Sequence, residues 1–146
     1  MPNEIVSEAM TPGTIVSHPG GPGDVKVLDR TALVALEGVR EDGEPDLIVE
    51  LIDLYLEHAP TWLEQIKLAV VKQDALLLRR SAHTLRGSSS SLGVCYVAEL
   101  SRILEHLDFL NPVSGFRPWI LLLEQAFANA RDALMAERAR RIAGEF

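Results

Sequence analysis

The sequence predicts an all-α protein: an antiparallel up-down four-helix bundle with a short additional N-terminal helix. Three observations predict it. Apolar residues recur at three- and four-residue steps in four successive segments, and no segment alternates long enough to demand a strand. The 47% apolar content is mostly Leu, Ala, Val and Ile, with only 5% aromatic, a mix suited to helices packed on helices. Helix-breaking residues fall in short intervals between those segments, so consecutive helices must double back on one another.

Each element can be justified in order. Residues 1–26 alternate Pro2, Pro12, Pro19 and Pro22 with Gly13, Gly20, Gly21 and Gly23 and show no apolar period, so they read as a flexible arm or linker. The bundle is expected over residues 27–142. Asp29 can cap a short helix running to about Gly38. After the EDGEP turn, Pro45 suits a first helical position, and Leu47, Ile48, Leu51, Leu54 and Tyr55 form a buried stripe. Pro60 interrupts, and Thr61 with Glu64 has capping-box spacing, so the helix should kink or restart there. Trp62, Ile66, Ala69 and Val70 carry the stripe to about Lys72. Asp74 can cap the next helix and Gly93 can end it. Another helix fits Val94 to about Leu110, with Val97, Leu100, Leu104 and Leu107 inside. Residues 111–118 hold two prolines and a glycine and read as a loop. The last helix runs from about Pro118 towards Arg141, with Leu122, Leu123, Ala126, Ala130 and Leu134 inside.

The totals exclude several functions. A net charge of -7 is a poor footprint for nucleic-acid binding. The densest apolar run, WILLL at 119–123, is far short of the ~20 residues that cross a bilayer. With no basic, apolar leader and a single cysteine, Cys95, the expectation is a cytoplasmic protein with no membrane insertion and no disulfide or zinc cluster. Each helix can spend its apolar stripe internally, so a monomer is expected.

One stretch does not fit a purely structural account. AHTLRGSSSSLG, Ala82 to Gly93, places a histidine, a glycine and four serines inside a helix, where the glycine alone costs roughly 1 kcal/mol against alanine. At 100° per residue Leu78, Ala82, Leu85, Ser89 and Leu92 share one face, which must turn inward. His83 then lies roughly 140° away, on the solvent side. Arg79 and Arg80 sit one turn before it, Arg86 and Gly87 one turn after, and Leu76 and Ser90 two turns away. Residues 65–93 carry five basic residues (Lys67, Lys72, Arg79, Arg80, Arg86) against one acid, so their local charge is +4. A small positive patch on an acidic chain suits a single anion, and a phosphoryl group fits arginine's paired donors. Gly87 leaves clearance for a partner beside the imidazole, and Ser90 keeps the next turn low. Ser89 allows close helix approach on the buried side.

Those residues resemble the signature of histidine-containing phosphotransfer domains: His-x-x-Lys/Arg-Gly-Ser, then small residues and Leu/Val-Gly, on a helix of a four-helix bundle. The match is contiguous over the 12 residues of Ala82–Gly93. Weaker similarity covers most of residues 28–140. The resemblance implies that His83 accepts a phosphoryl group from an aspartate of a receiver domain and passes it to another receiver. It implies that Arg86 helps bind phosphoryl oxygens and that Gly87 is the clearance residue; Arg79 and Arg80 join Arg86 as phosphoryl-binding candidates through the positive patch, and the helical spacing adds Ser90 and Leu76 to Gly87 on the expected docking face. Arg86 stands where the family mostly has lysine, keeping the charge but forking the donors. The implied partners are receiver domains of response regulators or of a hybrid sensor kinase. No cofactor is expected on this chain; the Mg²⁺ of the reaction would sit on the receiver. No P-loop or kinase-type glycine motif is present, so no autonomous kinase activity is expected.

Other readings compete. An adaptor could keep the bundle and the docking face but only bind receiver or kinase domains. A hydrolase using a serine of the run lacks the Gly-x-Ser-x-Gly elbow. His58 and His106, among acids such as Glu57, Glu105 and Asp108, read as solvated or capping residues. Arg131, Arg138, Arg140 and Arg141 suit a helix C-terminus or a solvated face, with no site assigned.

Overall fold

A computed structural model describes residues 27–37, 46–107 and 115–144, and all their regular structure is helical. We number the helices α1 (Arg30–Glu37), α2 (Leu47–Lys72), α3 (Ala75–Ser91), α4 (Cys95–Glu105) and α5 (Arg117–Ile142). The expected arm at 1–26, the EDGEP turn with Pro45 and residues 111–114 of the expected loop lie outside the described residues.

Local chemistry sets the helix ends. Asp29 accepts from the Thr31 amide at 2.9 Å ahead of α1. Asp46 caps α2, its carboxylate accepting from Ile48 N at 2.9 Å, so Leu47 is the first helical residue. Asp74 caps α3 through the Leu77 amide at 3.0 Å. Gln73 takes a left-handed conformation (φ 53°) to close α2, so two residues suffice to turn the chain into α3. Gly93 (φ 76°) follows α3 and is needed twice over. A Cβ there would be strained, and it would run into the carbonyl of Asp29, whose amide donates to Gly93 O at 2.6 Å.

Paired contacts show the topology. Tyr55 meets Ser89 and Gln65 meets Ser81, so α2 and α3 are antiparallel. Asp53 meets Arg138 and Lys67 meets Glu124, so α2 and α5 are antiparallel too. Helix α3 packs on α2 and α4, and α5 also packs on α2 and α4. Helices α3 and α5 therefore occupy opposite corners of an up-down bundle, with α1 laid against α2. The core joins Ile48, Ile52 and Ile66 of α2, Leu78 and Leu85 of α3, Leu100 and Leu104 of α4, and Trp119, Leu123 and Leu134 of α5.

Four expectations are corrected. Helix α2 runs through Pro60 without a restart. Burial of Ala59, Leu63 and Ile66 around the proline holds the turn that its missing N–H weakens. Leu54 is half exposed; the buried stripe is Ile48, Ile52, Tyr55 and Ala59, while the leucine stripe beside it falls to the rim. Helix α4 stops at Glu105, with His106 as its C-cap. Leu107 is half-buried beyond the helix end, and residues 108–110 lie outside the described residues.

The fourth correction concerns α5. Glu137 is fully buried; Arg141 lies in the last turn of the helix, as one reading expected, but is nearly buried, so the solvated-face alternative does not hold for it. Arg141 Nε donates to Glu137 Oε2 at 2.8 Å, and Arg140 also donates to this carboxylate. Arg30 of α1 adds an ion pair at 3.1 Å, and Asp46 lies 3.7 Å from Arg141. One carboxylate thus ties α5 to α1, and Arg141 extends the tie to the start of α2. Burial pushes the Glu137 carboxyl up, but hydrogen bonds from Arg140 and Arg141 and the charges of Arg30 and Arg141 outweigh it, so its pKa lies below the usual value.

Glu137 therefore contributes stability above the ordinary carboxylate pKa, and that contribution is lost as pH falls through its lowered folded-state value. We expect Glu137→Gln to destabilise the fold by about 3 kcal/mol in neutral urea denaturation, because it leaves buried arginine charge poorly compensated. The difference from the unaltered protein should shrink under acid. An equal gap at acidic and neutral pH would contradict this.

Candidate functional site

Helix α3 carries the candidate site because of how it is rotated. Leu78, Ser81, Ala82, Leu85 and Ser89 are buried. Ser89 Oγ lies 2.7 Å from Tyr55 Oη inside the bundle, and Ser81 Oγ donates to Gln65 at 3.2 Å. Burial raises the Tyr55 pKa to about 12, although the Ser89 contact lowers it somewhat, so the phenol stays neutral. With that face locked, His83 projects outward, its side chain 62% exposed. Gly87 is exposed one turn on, and a Cβ built there would meet nothing within 4 Å. Ser90 and Leu76 are exposed above and below, as expected from the helical spacing.

The basic residues divide. Arg86 is half-buried, with Nη2 3.1 Å from His83 Nδ1. Arg79 and Arg80 are exposed and make no side-chain hydrogen bond or ion pair among the described residues. The structure thus brings Arg86 to the imidazole and leaves the other two in solvent on the same face.

Glu105, at the last turn of α4, is the residue that sequence reasoning did not bring to this site. Its Oε1 lies 2.8 Å from His83 Nδ1, and its Oε2 lies 3.2 Å from Arg86 Nε. Nδ1 cannot serve both neighbours as a hydrogen-bond partner. A carboxylate facing a bare nitrogen lone pair would be repelled, so the network assigns the proton to Nδ1, donating to Glu105. The Arg86 contact with Nδ1 is then mere proximity, and the guanidinium is held electrostatically by Glu105. Oε2 is buried and receives no aligned hydrogen bond, so the Arg86 attraction is its compensation. The consequence falls on the opposite side of the ring: Nε2 keeps its lone pair. A fixed tautomer with a basic outward nitrogen is the arrangement of an oriented nucleophile. The only signal for Glu105 in the chain was an acid near the end of a helix that returns past α3.

The bundle carries two further features. An open apolar cleft of about 250 Å³ lies between α1, α2 and α3, lined by Leu36, Leu54, Trp62 and Ser88 among others. His58, on its edge, stacks on Trp62 with centroids 6.3 Å apart. Cys95 is half-buried at the start of α4. Among the described residues no cluster of His, Cys, Asp and Glu has metal-binding geometry, and no helix is long and apolar enough to cross a membrane.

Comparison with known proteins decides the family. Residues 50–138 match the Hpt domain family model. The chain belongs to the Hpt domain family. The matched span runs from the first turn of α2 into the last turns of α5 and so contains α3 and Glu105. Histidine-containing phosphotransfer protein B (HptB) from Pseudomonas aeruginosa superposes with a TM-score of 0.69 at 27% identity, covering 80% of this chain and 98% of that one. The sensor protein TorS of Escherichia coli is 30% identical over 82 residues. That match takes in 50% of this chain but only 9% of TorS. Hpt domains serve phosphorelays of two-component signalling.

At a pH where the His83 ring is neutral, its ¹⁵N signals should report the Nδ1–H tautomer. Glu105→Ala should shift the population towards Nε2–H without loss of helix. An unshifted population in that variant would remove Glu105 from the network.

Proposed function

We propose that this chain is a phosphorelay intermediate: His83 accepts a phosphoryl group from a receiver-domain aspartate and passes it to another receiver. The observation that carries this reading is the outward imidazole of His83 beside the open space at Gly87. Nε2 attacks the phosphorus of the aspartyl phosphate in line. A P–N bond forms, the P–O bond to the aspartate breaks, and the carboxylate leaves with its electron pair. Nδ1 retains its proton, so the ring gains positive charge, and Glu105 faces that charge at 2.8 Å. Arg86 is placed to turn from Glu105 to a phosphoryl oxygen. The return step reverses these events on a second receiver. The acidic pocket and Mg²⁺ belong to the receiver in this reading.

Gly87 and Ser90 keep the surface low around the ring. Leu76, 55% exposed, provides apolar contact at one end of the face, and the cleft by Leu54 and Trp62 provides it at the other. Arg79 and Arg80, exposed on this face, supply long-range attraction for an acidic receiver surface and its phosphoryl group rather than contacts to the ring.

Incubation with a phosphorylated receiver should yield acid-labile, base-stable label on this protein, and His83→Gln should abolish it. Label that persists in His83→Gln means the acceptor lies elsewhere. Binding of a receiver with no label at all would favour the adaptor reading. Gly87→Gln should slow transfer by roughly tenfold or more while leaving helix content intact, since a small displacement from in-line geometry has large effects on rate. Unchanged transfer in that variant would refute the clearance argument.

A further inference from the structure

Two buried side-chain polar atoms among the described residues lack a hydrogen-bond partner: Ser101 Oγ and Glu105 Oε2. Both belong to α4 and stand one helical turn apart, so they share a face. Glu105 reaches His83 and Arg86 of α3 from that face, so Ser101 lies on the α3 side as well. Ser101 is fully buried, whereas 14% of the Glu105 side chain is exposed. A hydroxyl inside a helix commonly donates back to the carbonyl one turn earlier, as Thr84 does to Arg80 at 2.9 Å and Ser91 to Gly87 at 3.0 Å. The other buried serines, Ser81 and Ser89, reach Gln65 and Tyr55. Among the buried serines of the described residues, Ser101 alone leaves its hydroxyl unused. A buried donor without a partner is costly, and such a group calls for a physical account.

We infer that Ser101 is a positioning residue for His83: a reserve donor that takes over Glu105 Oε2 when Arg86 leaves it. The inference rests on the phosphorelay reading above. In the resting arrangement Oε2 is compensated by Arg86, whose Nε lies 3.2 Å away. Once a phosphoryl group sits on Nε2, its oxygens draw the guanidinium away. Oε2 would then be a buried carboxylate oxygen with neither donor nor cation, a cost that drives Glu105 out to solvent and off Nδ1. A helical side chain leans towards the preceding turn, so Glu105 leans over Ser101. The serine side chain has three staggered positions and its hydroxyl hydrogen rotates freely, so a turn about one bond aims the O–H at Oε2. The hydrogen bond that Ser101 donates replaces the ion pair, and Oε1 stays on the Nδ1 proton. The positive charge gained by the phosphorylated ring thus keeps its counterpart. No covalent step is added to the transfer; one hydrogen bond is exchanged for one ion pair. Alanine at this position would fill the same space and could not make the exchange.

¹⁵N spectra of the neutral His83 ring test this on the full chain without any receiver. Arg86→Ala removes the guanidinium for good, and Nδ1–H should remain the main tautomer because Ser101 then holds Oε2. Combining Arg86→Ala with Ser101→Ala should move the population towards Nε2–H by about tenfold, the size of a hydrogen bond to a charged group. Ser101→Ala alone should leave the tautomer and the helix content unchanged and should not lower the urea midpoint, since the hydroxyl it removes is unpartnered at rest. With a phosphorylated receiver, the same single variant should shift the transfer equilibrium back towards the receiver aspartate by about tenfold. Loss of Nδ1–H in Arg86→Ala alone, no difference between that variant and the double one, a lowered urea midpoint in Ser101→Ala, or an unmoved transfer equilibrium would each overturn the inference. If no receiver labels the protein, the relay reading fails, and the tautomer comparison still decides whether Ser101 holds Glu105.

Discussion

The rotation of α3 about its own axis is the constraint on which the rest depends. Leu78, Ala82, Leu85 and Ser89 must leave water together, and the hydrogen bond between Ser89 and Tyr55 permits that face only one register against α2. Turning the helix by one residue in one direction would bury Arg79, the imidazole and Arg86, in the other Thr84 and Ser88, and either would expose Leu78 and Leu85. Burying those leucines is worth about 2 kcal/mol each, so the outward direction of His83 follows from core packing rather than from any contact of its own. The glycine and serines that weaken α3 as an isolated helix are tolerated because its neighbours hold it.

The electrostatics of that face come from two helices. The sequence of α3 alone describes a positive patch around a histidine. The arrival of Glu105 from α4 changes this into an arginine–carboxylate–imidazole arrangement with an assigned proton. Glu137 offers a useful contrast within the same bundle. It is wholly enclosed, both oxygens are satisfied by arginines, and its effect is on stability. Glu105 has one oxygen on a solvent-facing ring and the other without an aligned donor. Two carboxylates beside arginines thus differ in consequence because of what else each one touches.

The bundle separates these jobs in space. Helix α3 presents the His83 face at one corner, while α5 carries the buried ion cluster and exposed apolar side chains at the opposite corner. Helices α2 and α4 pack on both, and α4 also supplies the residue that orients the imidazole. The early end of α4 matters here, since Glu105 sits in its final turn, where the chain can place a carboxylate beside α3.

Much of this was legible from residue order, for a physical reason: helical periodicity is local. Caps at Asp29 and Asp74, the stop at Gly93, the inward face of α3 and the outward position of His83 all follow from spacing within a single turn or two. Local signals misled where two readings lay one residue apart, as with the two stripes of α2 around Leu54, or where packing overrode a breaker, as at Pro60. They were silent wherever partners are far apart in the chain. Glu105 lies 22 positions from His83, and Glu137 lies 107 from Arg30. The sequence by itself thus determined the helices, the candidate nucleophile and the gap beside it. Only the tertiary structure decided which arginine and which carboxylate meet the ring, because side chains so distant in sequence acquire neighbours only when the helices pack.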